Sequence, residues 1–159
     1  MKLTFYVIRH GYSCANMQQH KKYYISQTTV KDPHLSKWGI IGSLIEGHRL
    51  KRILKNVHID ESFCSPLIRT WETAICMIPP ICKNHDIFIA PYMKEKSSTI
   101  TTLDNVYNSY DKNQKKLIDF NNFLKKIDNE NPHNLFDSKY LNKLKIHKLE
   151  DYSKDNKYS

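Results

Sequence analysis

An apolar segment near the N-terminus stops abruptly at charged and small residues, and this junction constrains the fold more than any other feature. Residues 3–8 are mainly β-branched, aromatic or leucine, and Arg9, His10 and Gly11 follow directly. A short apolar run that ends at glycine predicts a buried strand. Because open α/β sheets bind ligands at the carboxyl ends of their strands, Arg9 and His10 are candidate binding residues. Gly11 permits a sharp turn, and short polar side chains at 13–16 complete a candidate phosphate seat.

A second junction of this kind lies at residues 65–74, which read Ser-Pro-Leu-Ile-Arg-Thr-Trp-Glu-Thr-Ala. Ser65 as an N-cap and Pro66 at the first helical position predict the start of a helix, with Arg69 in its first turn. Only 4 of the 25 lysines and arginines are arginines, yet Arg9 and Arg69 both follow predicted strands. A guanidinium grips phosphate in a bidentate manner, so the pair predicts a phosphate site. The alternative is two arginines that merely extend from element ends.

The remaining pattern alternates strands with helices. The sequence predicts strands at 61–65 and 87–90, and helices at 36–54, 66–78 and 112–127. Such alternation predicts a three-layer α/β/α fold with a mainly parallel sheet. The helix at 36–54 is predicted to bury an apolar stripe of Trp38, Ile41, Leu44, Ile45, His48 and Ile53. The helix at 112–127 is predicted to bury Leu117, Phe120, Phe123, Leu124 and Ile127.

Four blocks in this order resemble the histidine phosphatase superfamily, which includes the phosphoglycerate mutases. They are Tyr-Val-Ile-Arg-His-Gly at 6–11, Asn16, Asp-Pro-His-Leu-Ser-Lys-Trp-Gly at 32–39, and residues 65–74. The resemblance implies a phosphoglycerate mutase-like sheet, with the core at 1–96, a divergent helical extension at 97–147 and a disordered tail at 148–159. The long, divergent loop at 17–31 favours a phosphatase over a mutase, and it could be a substrate lid or an insertion.

The resemblance also implies the chemistry of the site. His10 would be the nucleophile that forms a phosphohistidine, while Arg9, Asn16 and Arg69 would bind the phosphate. Glu95, after the strand at 87–90, would protonate the leaving group, although it could also be an ordinary surface residue between two lysines. Positioning and charge stabilisation are most of catalysis in phosphoryl transfer, and no metal or cofactor is expected.

The family's second histidine, which follows a later central strand, has no clear counterpart. His133 stands in a turn-like Asn-Pro-His-Asn, and His147 follows a segment too short and polar for a buried strand. The chain could be a truncated family member, or the region after Glu95 could be remodelled. The function is therefore either a phosphomonoester hydrolase or a catalytically impaired phosphate-binding module. A missing central strand would expose an apolar edge, which predicts low solubility or a homodimer.

The distribution of charge restricts the classes of substrate and partner. Residues 1–96 hold 14 basic and 7 acidic side chains, against 11 and 9 in the remainder, and the net charge is +9. This excess favours a phosphorylated small molecule or a phosphoprotein as the substrate. No RNA- or DNA-binding signature accompanies it, which argues against nucleic acid.

The four cysteines form no Cys-x-x-Cys pair, and no signal peptide or membrane-length apolar run is evident. We therefore predict a cytoplasmic protein with reduced thiols and no membrane association. Cys14 lies inside the candidate phosphate loop. A small packing residue is favoured over a nucleophile, since the Cys-x₅-Arg cradle of cysteine phosphatases is absent.

Overall fold

The computed structural model describes residues 3–19, 30–82, 85–93, 108–130 and 136–149. Within these residues the four α-helices are α1 (Cys14–Gln19), α2 (Lys37–Ile53), α3 (Ile68–Met77) and α4 (Tyr110–Asn129). Three short strands, β1 (Phe63–Cys64), β2 (Asp86–Ile89) and β3 (Lys145–Lys148), form a parallel sheet in the order β1-β2-β3. Single 3₁₀ turns occupy Pro91–Met93 and Ser138–Asn142. The predicted α/β class with a parallel sheet is confirmed.

One face of the sheet forms the core. Cys64, Ile87 and Ile89 are buried there together with apolar side chains from α2, α3 and α4. The opposite face carries an aromatic row, in which the ring of Phe88 lies 5.6 Å from that of Phe63 and 5.0 Å from that of His147. Paired residues of neighbouring strands lie on the same face of a sheet, whereas successive residues of one strand alternate between its two faces. The three paired rings therefore lie side by side on the face opposite the core.

Residues 3–8 do not form the predicted first strand. They take part in no strand pairing, and the side chains of Phe5 and Val7 are 80% and 93% exposed. A strand is stable only where a neighbouring strand satisfies its backbone groups. Within the described residues, β1 pairs with β2 alone and no strand lies along its second edge. The prediction of a buried strand is therefore wrong, because its pattern had no partner to pair with.

Helix α2 has the predicted cap but buries a different face. The Oγ of Ser36 accepts the N–H of Gly39 as expected. However, Trp38 is 71% exposed, and Ile45 and Ile53 are also exposed. The buried residues of the helix are Gly39, Ile40, Ser43, Leu44 and Gly47. A Cβ at Gly47 would lie 3.0 Å from the Cα of Met77, so this glycine allows α2 and α3 to pack closely. That close approach outweighs the burial of Trp38.

Helix α3 begins two residues later than predicted, and a distant residue caps it. The N-cap position is Leu67, whose side chain offers no acceptor. Instead, the N–H of Ile68 donates to Asp32 Oδ1 at 2.8 Å. Asp32 is buried and has a φ of 49°, an uncommon conformation for a residue with a side chain. Ser65 contributes through its carbonyl oxygen, which accepts the indole N–H of Trp71 at 3.1 Å.

The C-terminal third adds one predicted helix and one strand that was not predicted. Helix α4 buries Leu117, Phe120 and Leu124, with Phe123 and Ile127 packed beside them, as its periodicity indicated. Strand β3 pairs with β2 although its sequence is polar. Three of its four side chains are exposed, so the pairing does not bury its polar groups. Residues 97–107 of the predicted helical extension at 97–147, and residues 150–159 of the predicted disordered tail at 148–159, lie outside the described residues.

Candidate phosphate site

The loop at residues 10–16 is attached to both α2 and α3 by backbone contacts. The N–H of Gly11 donates to the hydroxyl of Thr73 on α3 at 3.0 Å. The carbonyl of Tyr12 accepts both the N–H and the hydroxyl of Ser36, at 2.9 and 2.8 Å. These contacts position the candidate phosphate loop, although residues 3–8 before it do not form a strand.

Two glycines from separate sequence blocks allow the loop to pack against α2. A Cβ at Gly11 would lie 2.6 Å from Ser43 Oγ and 2.9 Å from the carbonyl oxygen of Gly39. A Cβ at Gly39 would lie 2.1 Å from the carbonyl oxygen of Tyr12. Neither position has room for a side chain. The glycines that end the Arg-His-Gly and Leu-Ser-x-x-Gly blocks therefore share one close interface.

His10 has a defined hydrogen-bonding arrangement. Its ring is half-buried, and Nδ1 lies 2.7 Å from the carbonyl oxygen of Gly11. Because a carbonyl oxygen can only accept, Nδ1 carries the hydrogen and donates it. A neutral ring then has its lone pair on Nε2. That tautomer provides a nitrogen nucleophile near neutral pH.

Helix α3 brings Arg69 to the side of the loop. Arg69 lies in the first turn and is only 3% exposed. Thr73, four residues later on the same helix face, donates its hydroxyl to the Arg69 carbonyl at 2.8 Å and accepts the Gly11 N–H. Arg69 and residues 9–11 therefore lie on the same side of α3. Arg9 itself is exposed.

Asn16 participates in the cap of α1. Its Oδ1 accepts the N–H and the hydroxyl of Ser13 at 3.0 and 2.9 Å, and its own N–H donates to Ser13 Oγ at 3.3 Å. This reciprocal arrangement is a capping box. The oxygen of the amide is therefore engaged in holding the loop, and Nδ2 is the donor that Asn16 can offer to an anion.

A comparison with known protein families gives one match that includes all of these sequence blocks. The family model of the histidine phosphatase superfamily (branch 1) matches residues 5–86, more than half of the chain. The chain belongs to the histidine phosphatase superfamily. The matched range includes Arg9, His10, Asn16 and Arg69. Neither the curated proteins nor the solved structures compared with it give a match.

Two other predicted residues of this superfamily member lie outside the described structure, and a third lies on the sheet. Glu95 and His133 are not among the described residues. His147 lies on β3, where its Nε2 is 2.9 Å from Asp86 Oδ1 and its ring stacks on Phe88. Since β3 is the third strand in order, it lies two strand spacings, about 10 Å, from β1.

Cys14 has the environment of a packing residue. Its Sγ donates to the Leu35 carbonyl at 3.5 Å. Burial, and secondarily the charge of Glu72, raise the pKa of the thiol above its ordinary value. Since the thiolate is the nucleophilic form of cysteine, the environment disfavours a cysteine nucleophile in this loop.

Two buried carboxyl groups that support the site were missed by sequence reasoning. Asp32 Oδ2 accepts both the N–H and the side-chain amide of Asn108, at 3.0 and 3.1 Å, and the side-chain amide of Asn113 at 3.1 Å. Glu72 is 1% exposed, and its Oε2 accepts the N–H of Leu35 at 2.6 Å. The available signal was a glutamate between Trp71 and Thr73, in the middle of a helix that is otherwise buried.

Proposed function

We propose that this chain is a phosphomonoester hydrolase that acts through a phosphohistidine on His10. The observation that supports this most is the contact between His10 Nδ1 and the Gly11 carbonyl, because it leaves Nε2 as the nucleophile. Nε2 forms the bond to phosphorus as the bond to the ester oxygen breaks. Glu95 supplies the proton that the departing alcohol needs, and it then takes a proton from the water that attacks the phosphohistidine. Inorganic phosphate is released and His10 is regenerated.

The charged residues around the loop would bind the transferred group. Arg69 holds a permanent positive charge at a buried position beside the loop, where a charge interacts more strongly than in water. Arg9 and the Nδ2 of Asn16 would bind the remaining oxygens. Fixed donors of this kind stabilise the charge that spreads over the phosphoryl oxygens, and removing one typically slows turnover by about 10²–10³.

The substrate that this site favours is a phosphorylated small molecule or a phosphoprotein, because its positive charges match a phosphate dianion. We also propose a cytoplasmic location. Its support is that all four cysteines are free, with Cys64, Cys76 and Cys82 buried. No described helix is both long and apolar enough to cross a membrane.

The test is release of 4-nitrophenol from 4-nitrophenyl phosphate by the wild type, His10→Ala and His58→Ala. His58 is an exposed histidine paired with Asp60, so its variant controls for the loss of an imidazole. We expect His10→Ala to abolish turnover and His58→Ala to retain it. Quenching in alkali, where the phosphorus–nitrogen bond survives, should trap labelled phosphate on the wild type and on His58→Ala but not on His10→Ala. Turnover by His10→Ala at the wild-type rate would refute the proposal.

A second candidate function is phosphate binding with little catalysis, and the position of His147 favours it. That histidine is engaged with Asp86 and Phe88 at the sheet edge. In this case calorimetry would detect binding of inorganic phosphate that Arg69→Met weakens, while the wild type releases no 4-nitrophenol.

We further propose a homodimer. Its support is the exposed apolar side chains of residues 3–8 together with the unpaired edge of β1 within the described chain. Val7→Lys should shift sedimentation toward monomer. At dilutions where the wild type is also monomeric it should leave the free energy of unfolding unchanged, since Val7 is exposed in the single chain. Val57→Lys, outside that segment, is the matched control. A wild type that sediments as a monomer at every concentration would refute the dimer.

A further inference from the structure

A cleft of about 310 Å³ lies between the start of α2, helix α3 and helix α4. We call it the Glu72 cleft. It is lined by His34, Lys37, Glu72, Lys116, Phe120 and Phe123, among others. None of the residues proposed to bind the phosphate lines it. Its volume is at the lower end of the range of about 300–1,000 Å³ for small-molecule sites, so it suits a small ligand.

A buried carboxyl group orients a histidine at this cleft. Glu72 Oε1 lies 2.5 Å from Nδ1 of His34, while Oε2 is held by the N–H of Leu35. The His34 side chain is 42% exposed, whereas Glu72 is buried. With Nδ1 engaged by the carboxyl group, Nε2 is the ring nitrogen that His34 offers to a ligand. A carboxyl group that fixes the ring in this way also fixes its tautomer.

Two lysines from different helices reach the same cleft. Lys116 is half-buried, and its Nζ donates to the carbonyl of Asp32 at 3.3 Å, which holds the amine in place with two further hydrogens to donate. Lys37 is exposed in the first turn of α2. Asp119 on α4 is the remaining charged residue of the lining. The cleft therefore offers an acidic group several donors.

The other side of the cleft is apolar. Phe120 is buried in the core, Phe123 is half-buried, and Leu35 and Ile40 complete this surface. A free inorganic anion would leave this surface uncovered. A ligand with a flat apolar body would cover it, and burial of apolar area stabilises binding by roughly 25 cal/mol per Å².

We propose that the Glu72 cleft binds a small organic anion with an aromatic or other flat apolar body. Its acidic group accepts hydrogen bonds from Lys116 and Lys37, and its body packs on Phe123. His34 Nε2 contacts the ligand where the two surfaces meet. The carbonyl of His34 also accepts the N–H of Cys14 at 2.9 Å, so the ligand would bind beside the segment that supports the phosphate loop. This site does not depend on catalysis by His10.

Benzoate is a suitable probe, and the ¹³C-labelled histidine ring signals of the protein are the readout. The His34 signal is assigned by its disappearance in His34→Gln. We expect benzoate to shift that signal in a saturable way, and acetate, which lacks the ring, to bind about tenfold more weakly. Lys116→Met should weaken benzoate binding about tenfold, the effect of one lost charged hydrogen bond. Lys115→Met, on the exposed neighbour in α4, should leave it unchanged.

Lys37→Met provides a second variant, because Lys37 is exposed and its loss does not disturb the contact with Asp32. Its control is Lys51→Met, an exposed lysine in the last turn of the same helix. Arg9→Met should retain benzoate binding, which separates this site from the phosphate loop. Absence of a saturable shift at His34 would overturn the proposal. Equal losses in the cleft variants and their controls, or equal affinity for acetate and benzoate, would overturn it as well.

Discussion

Substitution of Gly39 by alanine tests the contact that holds the phosphate loop against α2. The added Cβ would lie 2.1 Å from the carbonyl oxygen of Tyr12 and 2.9 Å from its backbone nitrogen. Both are backbone atoms, so no side-chain rotation relieves the overlap. Gly42, one turn further along the helix, is the matched control, because a Cβ there would meet no atom within 4 Å.

The two substitutions should change stability in opposite directions. Alanine is more favourable than glycine inside a helix by about 0.5–1 kcal/mol, so Gly42→Ala should stabilise by that amount. Gly39→Ala gains the same preference but overpacks the interface, which typically costs about 1–3 kcal/mol. It also displaces the Tyr12 carbonyl from its two hydrogen bonds with Ser36, each worth about 1 kcal/mol. We expect Gly39→Ala to destabilise by about 3 kcal/mol.

Urea denaturation followed by tryptophan fluorescence measures both effects. Trp71 is buried and reports unfolding, whereas Trp38 is exposed and contributes a nearly constant background. Gly47→Ala should fall between the two, since its Cβ would lie 3.0 Å from the Met77 Cα. Gly39→Ala should also lose affinity for inorganic phosphate. If Gly39→Ala proves as stable as Gly42→Ala, the close contact between Gly39 and Tyr12 does not exist.

Three further predictions concern the support of the site. Thr73→Val removes the acceptor of the Gly11 N–H and should weaken phosphate binding measured by calorimetry, with about 1 kcal/mol lost in urea unfolding, whereas Thr73→Ser should retain both. Asp32→Ala should destabilise by about 3 kcal/mol, because it removes the acceptor of the first N–H of α3, of Asn108 and of one of the two bonds from the Asn113 amide, while the exposed Asp60→Ala changes unfolding by less than about 0.5 kcal/mol. The raised pKa of Cys14 lowers its thiolate fraction, so iodoacetamide at about pH 8 should alkylate it more slowly in the native protein than in urea; an equal rate by mass spectrometry would contradict its half-buried position.

Sequence patterns within one segment predicted the helices, because interactions within the same segment help to stabilise them. The predicted helix limits of α2 and α4 were within two residues of the observed ones, since capping serines and apolar periodicity act within one segment. The strand at residues 3–8 failed because a strand requires a partner that its own sequence cannot supply. Strand β3 was missed for the converse reason. Its polar residues contain no burial signal, and pairing with β2 alone makes it a strand.

The buried face of α2 shows a different limit of sequence reasoning. Apolar periodicity selects the face with the largest hydrophobic side chains, which here includes Trp38. The interface instead uses Gly39, Ser43 and Gly47, whose value lies in how closely a second backbone can approach. Only the positions of the loop, which packs on Gly39 and Ser43, and of α3, which packs on Gly47, reveal this preference. The small residues at every fourth position are visible in the sequence. They do not indicate a buried face unless the positions of the packing partners are known.

The site residues likewise divide into those that stand in recognisable sequence blocks and those whose partners are distant in the sequence. His10, Arg69 and the two glycines stand in recognisable blocks, so the sequence could predict that the loop lies against α2 and α3. Asp32 and Glu72 are charged residues whose partners are backbone N–H groups 36 and 37 positions away in the chain. Sequence could not name those partners, although a buried carboxyl group always requires them.

The absence of a described strand at residues 3–8 changes what controls the geometry of the phosphate site. In a sheet-based site, strand pairing would position His10, and helix contacts would be secondary. Here the loop is held by Gly11 against Thr73 and Gly39, and α3 is in turn held at its first residue by Asp32. The distance between His10 and Arg69 therefore depends on the packing of α2 against α3. It follows that substitutions at this helix interface should alter phosphate binding more than substitutions in β2 or β3 do, even where the loss of stability is the same.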